Sequence, residues 1–253
     1  MKINTAKAKM VAGQPAFGYA LELGSPIAAE LIAGTGVDFV MVDTQHGSFG
    51  PDGTILALMA IAAGSGGAAV PMARVARNDY TLIGRLLDEG AMGIVVPMVD
   101  TPEEAKAAAE ACRFPPCGTR SWGWGRAGRS GDDYADWINE QVFVAVQIES
   151  AEAVRNAEAI MATPGVDGCW IGPSDLAVSL GLHPRDASED ERHAQAIAHV
   201  LDACHNTGTI PGFAAYIPEE ARLRAAQGFR FLTAGSDLEI LLAGARTGIE
   251  QLR

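Results

Sequence analysis

Lysine is scarce in this chain, which carries only Lys2, Lys7, Lys9 and Lys106. Three of them precede the first strand-like run, and Lys106 falls inside a helical pattern. None stands at a strand end, so a lysine imine is not available as an electron sink, and carbanion chemistry would have to rely on a metal. Positive charge as a whole is thin: 19 Lys and Arg against 31 Asp and Glu give a formal net charge of −12. That balance argues against a nucleic-acid or acidic-membrane partner, although a local cation can still hold a small anion. The four cysteines, Cys112, Cys117, Cys169 and Cys204, form no CxxC pair and no zinc-ligand spacing. They read as reduced thiols of a cytoplasmic protein. No stretch approaches the roughly 18 to 20 apolar residues of a membrane span. Residues 1–10 lack the apolar run of a signal peptide. A Gly-rich phosphate loop after an early strand is missing too, since Gly64-Ser-Gly-Gly67 precedes a strand and reads as a turn.

Apolar residues, at 48% of 253, are plentiful enough for one large core. Short runs rich in Val, Ile, Phe and Ala recur at 16–21, 37–42, 68–74, 93–99, 142–149, 168–172, 210–215 and 229–234. Helical patterns lie between them, as at 80–89 and at 103–113, the latter introduced by Thr101-Pro102. The strands are nearly continuous apolar runs, as expected when both faces are covered. Eight strand–helix units predict a single (β/α)8 TIM barrel over 1–253, with a doubly wound open sheet as competitor. The longest irregular stretch, 114–131, is rich in Pro, Gly, Arg and Trp. It is expected to fold over the catalytic face, to reach a neighbouring subunit, or simply to pack Trp122 and Trp124 on its own barrel.

In a parallel sheet the C-terminal strand ends share one face, so residues there converge. Glu149 closes the run Val142-Phe-Val-Ala-Val-Gln-Ile-Glu149, and Asp175 follows Gly168-Cys-Trp-Ile-Gly-Pro-Ser. Two hard oxygen ligands on a rigid rim suit Mg2+, Mn2+ or a catalytic transition metal. Gln147 shares the side of Glu149 by period-two alternation and needs a polar partner, most simply metal-bound water or substrate. Gly172-Pro173-Ser174-Asp175 turns a strand into a short helix whose first N–H groups can hold an anion; a plain N-cap is the alternative. Asp43, Gln45 and His46 follow the second strand, where the Asp43 carboxylate can orient His46 as a base. Arg74 ends the third strand and offers a planar fork to a carboxylate or an enolate oxygen, with a rim salt bridge as the alternative.

Taken together these residues resemble the HpcH/HpaI aldolase family of metal-dependent pyruvate aldolases. The likeness runs from about residue 18 to 235 through Val42-Asp-Thr-Gln-His46, Arg74, Val96-Pro-Met-Val-Asp-Thr-Pro-Glu-Glu-Ala105 and Pro115-Pro-Cys-Gly-Thr-Arg120. It continues through Val146-Gln-Ile-Glu-Ser150 and Gly165-Val-Asp-Gly-Cys-Trp-Ile-Gly-Pro-Ser-Asp-Leu176. The resemblance implies a phosphoenolpyruvate/pyruvate-type barrel with a divalent metal (Mg2+, Mn2+ or Co2+) on Glu149 and Asp175. It also implies a 2-oxo acid bound by Arg74, Gln147, Gly172, Pro173, Ser174 and Asp175, Arg74 near the keto oxygen, and His46 with Asp43 as the acid–base pair. Homohexamers built as trimers of dimers, with the C-terminal helix exchanged, are implied as well. The chain departs from the family at Gln45, where a Glu is typical, at Ala20, where relatives commonly carry Trp, and at Glu22, a new acidic group near the rim. The implied activity is reversible cleavage of a 4-hydroxy-2-oxo acid to pyruvate, or a close 2-oxo acid such as hydroxypyruvate, and an aldehyde. A citryl- or malyl-CoA-type lyase, a phosphoenolpyruvate mutase-like enzyme and a non-catalytic 2-oxo-acid-binding barrel are the rival expectations.

Overall fold

The computed structural model describes residues 2–123 and 125–253. Eight strands pair in parallel and in chain order until the eighth meets the first, closing a barrel. They are β1 Ala16–Leu21, β2 Phe39–Asp43, β3 Val70–Arg74, β4 Gly93–Val96, β5 Phe143–Ile148, β6 Gly168–Ile171, β7 Gly212–Ala215 and β8 Phe231–Ser236. Each strand-like run of the sequence overlaps one of them, with ends that differ by a few residues; β2 and β8 run on to Asp43 and Ser236. The helices start where local chemistry starts them. Thr101 and Glu104 form a reciprocal capping box ahead of Pro102–Ala111, and Ser236 with Glu239 does the same for Asp237–Gln251. No helix among the described residues is long and apolar enough to cross a membrane.

The barrel is aromatic in its lower half and polar at its mouth. Phe231 packs against Phe39 (centroids 4.8 Å apart) and Phe143 (5.0 Å) at the N-terminal ends of their strands. Gly18 makes this layer possible, because a Cβ there would lie 2.5 Å from the Phe39 ring. A short helix, Thr5–Val11, plugs the base through Ala6 and Met10. Lys7 bonds the Val142 carbonyl and pairs with Asp167 at 2.9 Å, and Lys9 pairs with Asp38. Arg113 reaches the same Asp167. Lys7 and Lys9 are therefore structural fastenings at the end of the barrel away from the strands' C-terminal rim. Lys106 sits on the outer face of its helix beside Glu110.

Of the expectations for the segment 114–131, cover of its own catalytic face is the one the structure overturns. It follows the helix Pro102–Ala111 and leads, through Tyr134–Gln141, into the start of β5, so within its own subunit it lies at the base. Arg120 is buried there, ion-paired to Asp88 at 2.8 Å and stacked between Phe114 (4.4 Å) and Tyr134 (5.6 Å). Trp122 packs on Phe114 at 5.3 Å. The segment cannot cover its own catalytic face, because αβ connections emerge at the opposite end of a parallel barrel from βα connections. Trp124 lies outside the described residues.

Buried Asn4 fastens the plug. Its side chain accepts from Lys7 N and donates to the carbonyls of Met92 and Gln141. Asn4→Ala should lower unfolding free energy by roughly 2–4 kcal/mol, a lost cap plus an unpaired buried carbonyl. Urea titration checks this, and a loss under about 0.5 kcal/mol would mean that the plug contributes little.

Candidate active site

At the C-terminal rim, β2 and β3 end in register on Asp43 and Arg74. The guanidinium grips the wholly buried carboxylate in a two-pronged pair, Nε to Oδ1 at 2.9 Å and Nη2 to Oδ2. Asp43 Oδ1 also accepts the backbone N–H groups of Gln45 (2.9 Å) and His46 (3.3 Å). The expected orientation of the His46 ring by Asp43 is therefore corrected. Asp43 shapes the loop that carries His46, through the backbone, while its carboxylate belongs to Arg74. From this anchor Arg74 lies over the Trp170 ring of β6, 5.4 Å from its centroid, bridging the mouth from one side of the barrel to the other.

Gln147 and Trp170 are partners in the β5–β6 register. Gln147 Nε2 donates to Glu149 Oε2 at 2.6 Å, as the shared strand face requires, and Glu149 Oε1 accepts from Met98 N–H at 2.8 Å. Met98 holds a left-handed backbone (φ 53°), unusual for a residue with a side chain, and that conformation delivers its N–H to the carboxylate. Burial pushes the Glu149 carboxyl up to about 7, with the nearby charge of Asp175 adding to the rise and the Met98 N–H opposing it. Asp175 stands in the first turn of the helix Pro173–Ser179, which starts at Gly172 without a side-chain cap. Ser174 Oγ shares a hydrogen bond of 2.8 Å with the Tyr216 hydroxyl.

These groups surround a cavity of about 250 Å3, lined by His46, Arg74, Gln147, Gly172, Ser174 and Asp175. Glu149 lies just behind Gln147 and Gly172. Opposite them the cavity is closed by Ala20, Glu22, Tyr216, Ser236 and Glu239, with Trp170 at the floor. Arg74 is the one guanidinium or ammonium in this lining among the described residues. Trp170, Met98, Tyr216 and Glu239 were not singled out from the sequence. Only Tyr216, one residue past the β7 run, had a positional signal.

Two carboxylates of different exposure and an amide make an all-oxygen donor set of the kind that Mg2+ or Mn2+ prefers. No group of three His, Cys, Asp or Glu among the described residues is placed to hold a metal ion together, so protein ligands would fill only part of a coordination shell, with substrate and water for the rest. Two features fit a polar guest. Gln147 Oε1 is buried and has no hydrogen-bond partner. A Cβ at position 172 would lie 2.5 Å from Glu149 Oε2, so Gly172 keeps the approach to that oxygen open.

A profile of the HpcH/HpaI aldolase/citrate lyase family matches residues 18–243. The chain is 39% identical to the hydroxypyruvate/pyruvate aldolase of Rhizorhabdus wittichii, over 95% of each protein. It is 37% identical to the 5-keto-4-deoxy-D-glucarate aldolase of Shigella dysenteriae, over 94% of this chain and 92% of that one. Among solved structures, an HpcH/HpaI aldolase/citrate lyase family protein of Burkholderia cenocepacia superposes with a TM-score of 0.92 at 35% identity, covering 99% of both chains.

The raised Glu149 carboxyl sets a pH dependence for the metal-free protein. A carboxyl whose folded pKa lies above its ordinary 4.5 favours folding below that pH, and the contribution is lost as pH rises through about 7. The melting temperature should fall between pH 5 and 7.5, by an amount on the order of 2–3 kcal/mol in stability. Glu149→Gln should flatten the slope, and a slope equal in both proteins would assign the effect elsewhere. With fold, site and relatives in agreement, the chain belongs to the HpcH/HpaI aldolase/citrate lyase family.

Proposed function

We propose that the chain is a class II aldolase, a carbon–carbon lyase that reversibly splits a 4-hydroxy-2-oxo acid into pyruvate, or a close 2-oxo acid such as hydroxypyruvate, and an aldehyde. The observation that carries it is the convergence of Asp175, Gln147 and Arg74 on one small cavity whose lining has no lysine, with Glu149 hydrogen-bonded to Gln147 directly behind it. Relatives named hydroxypyruvate/pyruvate aldolase and 5-keto-4-deoxy-D-glucarate aldolase support the same chemistry. Glu149 and Asp175 hold a divalent cation, Mg2+, Mn2+ or Co2+. When bound, it polarises the ketone and supplies the electrophilic stabilisation of the enolate that an imine would otherwise provide.

The protein's own groups do the rest. Arg74 donates its remaining N–H groups to the keto oxygen, where negative charge develops. The grip of Asp43 holds the guanidinium still, so little reorganisation is needed. His46, on the loop shaped by Asp43, takes the proton of the 4-hydroxyl in the cleavage direction and returns it in the reverse. Gln147 Oε1 and the Gly172–Asp175 turn orient the 2-oxo acid. A cavity of about 250 Å3 suits a small aldol. Its single guanidinium does not provide for the phosphates of a CoA ester.

Aldol formation from pyruvate with an aldehyde panel, with and without chelator, tests this reading. Activity should vanish on chelation and return with Mg2+, Mn2+ or Co2+. His46→Ala should lower kcat on the order of 10²- to 10⁴-fold while pyruvate affinity changes much less. Full turnover in metal-free protein, or a borohydride-trapped lysine adduct, would overturn it.

A homohexamer, arranged as a trimer of dimers with the last helix exchanged between partners, belongs to the same reading, as does a cytoplasmic location. Support for exchange comes from the helix Asp237–Gln251, in which only Asp237 is buried while Leu238, Ile240, Leu241, Leu242 and Ile249 stand exposed. So much apolar surface on one element calls for a partner. Light scattering after size exclusion should give six chains, and removing residues 240–253 should reduce that number. A monodisperse monomer at micromolar concentration would refute the assembly.

A further inference from the structure

The cavity has two unlike walls. One carries Arg74, Gln147, Gly172 and Asp175, the groups that receive the 2-oxo acid. The other is built where β1 and β8 end, from Ala20, Glu22, Ser236 and Glu239, with the Tyr216 hydroxyl at its edge. Glu22 directly follows β1, and its backbone N–H is tied to Asp237 Oδ1 at 2.7 Å, which fixes the residue at the rim. Glu239 lies half-buried on the same wall, one oxygen accepting Ser236 N–H at 2.8 Å in the capping box. Ala20 is small, so the space in front of these carboxyls is open.

We propose that Glu22, with Glu239 beside it, selects the aldehyde: an uncharged aldehyde bearing hydroxyl groups is taken in preference to one carrying a second carboxylate. The proposal rests on the aldolase reading and names the substrate class of that same site. No Lys or Arg stands on this wall among the described residues. Arg74 is already committed to Asp43 and, in the reaction, to the 2-oxo acid. A second carboxylate arriving here would meet Glu22, Glu239 and, behind them, Asp237 and Asp43, whose charges Glu22 feels. Like charges brought together in a partly desolvated cleft reject the wrong partner. Hydroxyls, by contrast, find carboxyl acceptors and the Tyr216–Ser174 hydroxyl pair. Burial pushes the carboxyls of both Glu22 and Glu239 above the usual carboxylate range, so each can also donate once protonated. Two further atoms belong to a cavity built for a polar guest. Gln147 Oε1 and Trp170 Nε1, both on deeply buried side chains of the lining, lack hydrogen-bond partners.

The test compares two aldehydes of equal length, 4-hydroxybutanal and succinic semialdehyde, as acceptors for pyruvate in the cation-loaded protein. The native protein should favour 4-hydroxybutanal in kcat/KM by about tenfold or more, the equivalent of one modest interaction. Glu22→Gln should shrink that ratio severalfold, and Glu22→Arg should invert it. Glu239→Gln provides a second variant should Glu22→Arg fail to fold. A native preference for succinic semialdehyde, or a ratio that Glu22→Gln and Glu239→Gln leave within twofold, would overturn the proposal. Deuterium uptake from solvent into the pyruvate methyl group, measured in the native protein without aldehyde, keeps the two readings apart. Exchange without discrimination defeats the selectivity alone, whereas no exchange and no aldol defeats the aldolase reading itself.

Discussion

The mouth of the barrel depends on one buried ion pair, Asp43 with Arg74. Asp43 is wholly buried and satisfies its oxygens with the guanidinium and the N–H groups of Gln45 and His46. Arg74 in turn fixes the start of the connection after β2, because its carbonyl accepts both the N–H and the hydroxyl of Thr44. The pair thus locks two neighbouring βα connections to each other and lays the guanidinium over Trp170 across the opening. Such a pair is worth little as net stability, since desolvating both ions cancels much of their attraction. Its value is geometric. Breaking it leaves a lone charge in the interior, frees the His46 loop and unseats the one guanidinium that lines the cavity among the described residues.

The carboxylate side of the site is built on strain. Met98 adopts a left-handed conformation that costs about 1–2 kcal/mol for a residue with a Cβ. Glu149 is buried next to the charge of Asp175 and is pushed toward neutrality. Both costs are local, and the barrel beneath them is close-packed: the Phe39–Phe231–Phe143 layer and the charged fastenings of Thr5–Val11 supply stability at the other end. A site that must exchange a cation and two substrates is better served by carboxylates held short of full satisfaction. Saturating Glu149 with protein donors would remove the strain and the binding capacity at once.

How far the sequence could be read follows the same physical division. The eight strands were legible because each buried parallel strand leaves a continuous apolar run. Gln147 and Glu149 were legible as one group because period two puts them on the same face. The Thr101 capping box and the short helix after Gly172 carried local signals. What depended on contacts between distant strands was not legible. Nothing in Pro97-Met98-Val99 announces a left-handed residue, and nothing in Cys169-Trp170-Ile171 says that the indole lies beneath an arginine from β3. The misreadings had two causes. Proximity in sequence suggested that Asp43 serves the His46 ring, but the strand register gave its carboxylate to Arg74. The 114–131 segment was read by its composition, although its place after a helix and before a strand assigns it to the base.

Charge is distributed along the same axis. Toward the base, Asp38 is matched with Lys9, Asp167 with Lys7 and Arg113, and Asp88 with Arg120. At the mouth, Glu22, Glu149, Asp175 and Glu239 take part in no ion pair among the described residues, and Asp43 alone has a cation. The excess of acid in the composition is therefore not spread evenly over the surface but includes a concentrated, partly desolvated share around one cavity. Such a concentration favours a small divalent cation; on the reading proposed above Glu149 and Asp175, whose charges feel each other, would hold it. The remaining carboxylates of the lining, Glu22 and Glu239 on the β1 and β8 side, would then face a guest rather than the cation, as the proposed selection of the aldehyde requires.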